Sequence, residues 1–188
     1  MHGGDRPGSL TSVKEQMPAE YVRRFADRGF VALAVDYAHD GASSGDPSQL
    51  ESPAEKLLDL QAAVTYLLDL PAVDRVVMVG VCTSAGNAAY LAAADDRVAA
   101  LATVAGMLPD PALFETLNGA EGGRQPPSRR ARGPRPMGRH GRQTLRRAYS
   151  ETDPDAINYN PTPGAYDYYT NPARGGIAQY TNALDVAS

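Results

Sequence analysis

The chain has 188 residues, 43% of them hydrophobic and 21% charged, the profile of one globular domain of ordinary size. No apolar run reaches the ~18 residues that a membrane-spanning helix needs. The first residues, Met1-His2-Gly3-Gly4-Asp5, hold no apolar signal core, and a single cysteine with three histidines excludes an internal disulfide framework and a cysteine- or histidine-rich metal site. A reducing cytoplasm and no metal are therefore expected. The net charge of −4 is unevenly spread: residues 124–147 carry nine of the sixteen arginines and no acid, so that window is +9 and the remainder −13.

In chain order, Ser12-Val13-Lys14-Glu15 has the spacing of a capping box. Met17, Tyr21, Val22 and Phe25 then recur at helical spacing, with Pro18 in the first turn and Gly29 placed to end the helix. Residues 30–37, Phe-Val-Ala-Leu-Ala-Val-Asp-Tyr, read as a strand buried on both faces, which belongs in a parallel sheet. Residues 38–49 are a Gly/Ser/Asp/Pro loop. Ser52-Pro53 opens a helix with the stripe Leu57, Leu60, Val64, Leu67 and Leu68, closed by Pro71. Residues 75–80 form a second buried strand, 81–83 a turn, and Ser84–Ala94 an alanine-rich helix. After a polar corner at Asp95-Asp96-Arg97, residues 98–104 form a third strand. This alternation predicts an α/β fold with a mostly parallel sheet flanked by helices.

Three regions follow: a core over 1–118, an Arg/Pro/Gly-rich disordered segment over 119–148, and an irregular Tyr-rich tail over 149–188. Tyr166, Tyr168, Tyr169 and Tyr180 of that tail serve packing or line a pocket. Sixteen arginines beside two lysines suggest GC-rich coding, so the arginine stretch reads as a local frameshift ending near Tyr149 or as a genuine disordered loop.

Gly80-Val81-Cys82-Thr83-Ser84-Ala85-Gly86 carries the most chemistry. Small residues at 80, 84, 85 and 86 let a strand and a helix pass closely around a sharp turn. Such a turn strains the backbone at Cys82 and lifts its side chain from the carboxyl edge of the sheet. A thiol at a helix N-terminus is favoured as thiolate, and the following N–H, on Thr83, points to where an oxyanion forms. The alternatives are a cysteine packed as a small hydrophobe and Ser84 as the nucleophile. A dinucleotide fingerprint is excluded because Cys82 and Ala85 stand where glycines belong, no phosphate loop is present, and no cofactor is expected.

Val79 through Gly86 resembles the nucleophile elbow of the α/β-hydrolase superfamily, and a cysteine at its centre resembles the dienelactone hydrolase-like branch. Lys14-Glu15-Gln16, Arg28-Gly29-Phe30, Asp36-Tyr37, Gly41-Ala42-Ser43 and the segment Tyr168-Tyr169-Thr170-Asn171-Pro172-Ala173-Arg174-Gly175 resemble it in order and spacing. The resemblance spans residues 10–118 and 149–182. It implies a partial α/β-hydrolase fold, an ester or lactone substrate, Cys82 as nucleophile and Thr83 as one oxyanion donor. It also implies Gly3 or Gly4, in a His2-Gly3-Gly4 motif, as the second donor.

The family's acid and histidine follow its seventh and eighth strands, beyond the last residue here, so weak or no turnover is expected of this chain. His39, in the loop after Asp36-Tyr37, is a candidate substitute base, and His140 a remoter one. Asp110 is either a substitute acid or a helix start with Pro111. The rival readings are a non-catalytic fragment that self-associates through open sheet edges, and nucleic-acid binding through the arginine stretch. Nucleic acid is disfavoured because that stretch lacks aromatic residues to stack on bases and the rest of the chain is acidic.

Overall fold

A computed structural model of the chain describes residues 11–106 and 145–185. The expected positions Gly3, Gly4, Asp110 and His140, and residues 107–144 of the Arg-rich region and its approach, lie outside the described residues.

Helix α1 spans Met17–Ala26 with proline in its first turn. Gly29, at φ +86°, turns the chain out of it. The capping box does not form. Gln16, not Ser12, is the N-cap residue, because residues 11–16 are drawn into long-range contacts. The Lys14 N–H and Nζ donate to Asp36, at 2.7 and 2.6 Å. Gln16 Nε2 donates to the carbonyls of Gly175 and Tyr169, at 2.8 and 3.4 Å. No residue of α1 is buried.

Helix α2, Pro53–Leu68, starts where the Ser-Pro pair predicted, with the Ser52 hydroxyl accepting from the Glu55 N–H. Strand β1, Val76–Val81, helix α3, Thr83–Ala94, and strand β2, Val98–Val104, form a parallel βαβ unit in which Val81 pairs with Val104. Helices α2 and α3 pack on one another and on β1. Val64, Val76 and Leu91 are the buried centre of this packing, surrounded by Leu57, Leu60, Leu67, Leu68, Val73, Met78 and Val98. The apolar stripe read for α2 is thus its packed face.

Residues 30–37 depart from expectation. They form no ladder, and Phe30 and Val31 are 59% and 49% exposed. A strand exists only by pairing with a neighbour about 4.8 Å away. Among the described residues β1 and β2 pair only with each other, so the run has nothing to pair with. The same shortage leaves β2 exposed along most of its length. The run is held at its ends: the Phe30 N–H donates to the Phe25 carbonyl at 3.2 Å. The Asp36 carboxylate is held by Lys14, and the Ala38 N–H donates to Asp59 at 2.7 Å.

The tail is more ordered than its composition implied. Strand β3, Leu145–Arg147, lies inside the segment expected to be disordered, yet it pairs antiparallel with β6, Ala183–Asp185. Backbone pairing places no demand on the arginine side chains, which stay exposed, the Arg146 guanidinium donating to the Asp155 carbonyl. Strand β4, Tyr149–Ser150, pairs in parallel with β5, Asn158–Tyr159, and helix α4 spans Ala165–Thr170. Tyr169 stacks between Tyr149 and Tyr180, at centroid separations of 5.0 and 5.3 Å, over the fully buried Ala148. Packing is therefore the use of Tyr169 and Tyr180. The Asp185 N–H donates to the Gln49 carbonyl at 2.9 Å, and Tyr180 meets the Thr11 hydroxyl at 3.1 Å, so the tail is fastened to the loops around α1 and before α2.

Candidate active site

At the junction of β1 and α3 the chain reverses within one residue. Cys82 has φ +57° and ψ −120°, a conformation L-residues rarely adopt and one that costs on the order of 1–3 kcal/mol. Its N–H donates to the Val104 carbonyl at 3.0 Å, and its carbonyl accepts from the Ala85 N–H at 3.1 Å. The turn is thereby pinned to the ends of both strands. A Cβ on Gly80 would stand 2.5 Å from the Ala85 Cα, a backbone overlap that only glycine avoids. Ala85, Gly86 and Ala88 are buried against the strand for the same reason. The small residues read from the sequence are thus what the crossing requires.

Cys82 is half-buried and stands as the N-cap of α3. Thr83 is the first helical residue, where backbone N–H groups have no acceptor within the helix and face the positive end of its dipole. The Thr83 hydroxyl is buried with no hydrogen-bond partner among the described residues. Ser84 lies half-buried in the first turn of α3, two residues past the strained position.

His39 is held away from a base's role. Its Nδ1 lies 2.8 Å from the Pro47 carbonyl and its Nε2 2.7 Å from the Glu55 carboxylate, with the side chain 12% exposed. Both ring nitrogens are committed to acceptors, so the imidazole clasps loop 38–49 onto α2.

Beside it lies a charged cluster that sequence reasoning did not identify. Lys56 is buried in α2, its Nζ 2.5 Å from Glu51, 3.9 Å from Asp40 and 5.1 Å from the centre of the Tyr37 ring. The Asp36 side chain is also shielded from solvent. Burial pushes its carboxyl up, but hydrogen bonds from Lys14 and Ala42 outweigh this and hold it below its ordinary value. Asp40 behaves oppositely. Burial raises its carboxyl to about 6, against which the attraction of Lys56 is insufficient. One Asp40 oxygen has no partner among the described residues. No local pattern marks these residues, because they come from a loop and a helix and meet only in the fold.

The Asp40 environment has a consequence for stability. Its folded-state value of about 6 exceeds the ordinary 3.8, so the fold prefers the neutral form. The stability this provides is complete below pH 3.8 and is lost as pH rises toward 6. Asp40→Asn is expected to remove that decline and to stabilise the protein at pH 7.5 by about 1–3 kcal/mol, read from urea unfolding at pH 4, 5, 6 and 7.5.

Among the described residues no group of three or more His, Cys, Asp or Glu is placed to hold a metal ion, and no helix is long and apolar enough to cross a membrane.

Comparison with known proteins shows the family and the fold. Residues 11–121 match the dienelactone hydrolase family. The chain is 40% identical over 94 residues to the uncharacterized protein YcjY of Escherichia coli, an alignment covering 49% of this chain and 31% of that one. It is 38% identical over 109 residues to the uncharacterized protein PA2218 of Pseudomonas aeruginosa, with 54% and 29% covered. It is 36% identical over 101 residues to the quorum-quenching protein AidA of Acinetobacter baumannii, with 53% and 31% covered. The chain thus spans about a third of the length of these curated relatives. Two solved structures share its fold at a TM-score of 0.64: DcsB in complex with its substrate analogue, at 22% identity, and PA2218, at 23%. They cover 95% and 99% of this chain, which covers 60% and 61% of theirs.

Proposed function

The chain belongs to the dienelactone hydrolase family and has the α/β-hydrolase fold, and from that premise we propose that it hydrolyses carboxylic esters or lactones with Cys82 as nucleophile. The observation that carries this reading is the positive φ of Cys82 at a strand-to-helix reversal, held by backbone hydrogen bonds to Val104 and Ala85. The strained turn presents a thiol at the positive end of a helix.

In the reaction, the Cys82 sulfur forms a bond to the carbonyl carbon. The carbonyl π electrons move to oxygen, and the Thr83 N–H donates to the resulting oxyanion. Collapse of that intermediate breaks the carbon–oxygen bond of the ester, and the leaving alkoxide takes up, through solvent, the proton that the thiol gave up on attack. Water then adds to the thioester carbonyl, the carbon–sulfur bond breaks, and the acid departs while the thiol is restored.

The test is hydrolysis of p-nitrophenyl acetate with mass analysis of the protein quenched in acid during turnover. The expected result is an acetyl group on the peptide that contains Cys82. Turnover with no acyl adduct on that peptide overturns the assignment.

A further inference from the structure

Strand β2 is an edge. Among the described residues it pairs with β1 on one side and with nothing on the other. Every residue from Ala99 to Val104 is exposed. One bond fixes the direction of its backbone groups. The Val104 carbonyl accepts from the Cys82 N–H, so it points toward the end of β1. Alternate residues of a strand share a direction. Ala100 and Ala102 therefore also turn their N–H and C=O groups to β1, whereas Leu101 and Thr103 turn theirs outward. Ala99 is skipped by the register with β1.

An open edge is ordinarily guarded by a charge, a proline or short length. Strand β2 has seven residues, none of them charged and none proline. Its sequence, Val-Ala-Ala-Leu-Ala-Thr-Val, is also matched to itself. Turned antiparallel about Leu101, Val98 meets Val104, Ala99 meets Thr103, Ala100 meets Ala102 and Leu101 meets Leu101. The two Leu101 residues then exchange both of their outward N–H···O bonds, and the Ala99–Thr103 pairs on either side add theirs. No like charges are opposed, because Arg97 falls opposite Ala105 and Asp96 opposite Gly106.

We propose that the chain forms a two-fold homodimer by antiparallel pairing of β2 with β2 of a second copy, centred on Leu101, which joins two two-stranded sheets into one of four strands. Helix α3 packs on both β1 and β2. The two α3 helices are therefore brought side by side at two strand spacings, roughly 10 Å, the separation of packed helices. Strand and helix contacts together bury roughly 600 Å² per copy, the lower end of the range for stable interfaces. The same patch serves both copies, so the assembly closes at two. This inference does not rest on the hydrolase reading.

The test is the mass of the purified full-length chain, by light scattering and sedimentation, from about 1 to 100 μM. The expected result is a mass that rises with concentration to twice the 19.9 kDa of one chain. Two double variants then read the register. The side chains of Ala100 and Ala102 lie with Val77 and Val79 on the exposed face of the sheet, away from α2 and α3, so charges there leave the fold intact. Ala100→Lys/Ala102→Lys sets like charges opposite one another across the pairing and weakens association about tenfold or more. Ala100→Glu/Ala102→Lys sets opposite charges there and restores the dimer, which only a pairing centred on Leu101 predicts.

A wild type that keeps the mass of one chain throughout overturns the proposal. So does a mass that grows past two copies, since a two-fold pairing closes. A dimer indifferent to the lysine pair, or one that the Glu/Lys pair fails to restore, forms through another surface and overturns it equally. Should the lysine variant not fold by circular dichroism, Ala100→Glu/Ala102→Glu takes its place with the same expected loss.

Discussion

Cys82→Ala is expected to lower the weak ester hydrolysis of this chain roughly tenfold or more, down to the rate that the oxyanion donors alone support. The Thr83 N–H and the helix end survive in this variant, so any residual rate above that of buffer measures what they contribute without covalent chemistry. Cys82→Gly belongs beside it. Alanine retains a Cβ and so retains the penalty of a +57° φ, whereas glycine does not. Cys82→Gly is therefore expected to unfold at higher urea than Cys82→Ala, by about 1 kcal/mol. Inactivation in both variants with that stability gap is the mark of a backbone strained for chemistry. Equal stabilities would mean that the turn is not strained, and wild-type hydrolysis by Cys82→Ala would remove Cys82 from the mechanism.

Gly80→Ala is expected to be the most damaging single methyl in the β1–α3 unit. The added carbon meets the Ala85 Cα at 2.5 Å, the Ser84 carbonyl oxygen at 2.8 Å and the Ala85 nitrogen at 2.9 Å. All three are backbone atoms, so no rotamer change relieves the overlap, and α3 must move off β1. A cost of about 3 kcal/mol in urea unfolding is expected, the upper part of the usual range for overpacking. Moving α3 also moves Cys82 and Thr83, so iodoacetamide labelling of the folded variant should lose its wild-type pH profile. Unchanged stability in Gly80→Ala would show that strand and helix do not cross as closely as the turn requires.

The asymmetry between what could and could not be read in advance follows from how far each signal reaches. Ser52-Pro53 specified the start of α2 because capping is settled within three residues. Gly29 likewise ended α1. The Cys82 turn was legible because the steric need for small residues at 80, 85 and 86 is felt between neighbours in the chain. Ser12 had an equally good local signal and failed, since Asp36, Tyr169 and Gly175 compete for residues 14–16. His39 looked like a free imidazole near the right edge of the sheet until Glu55 and Pro47 took both of its nitrogens.

Two further misreadings share one cause. The run from Phe30 to Tyr37 has the composition of a buried strand, and composition records how much burial a segment favours, not whether a partner stands beside it. Leu145–Arg147 is the converse: its side chains argue against order, while its backbone finds β6.

What the sequence by itself determined is the α/β alternation, the helix α2 and the strained thiol between β1 and α3. Each of these is set by contacts between residues close along the chain. Only the tertiary structure decided which apolar runs gain a ladder, that His39 is a clasp, and that Tyr37 and Asp40 gather around Lys56 of α2. These depend on different elements meeting in the fold, where burial and charge act through space and leave no spacing to read.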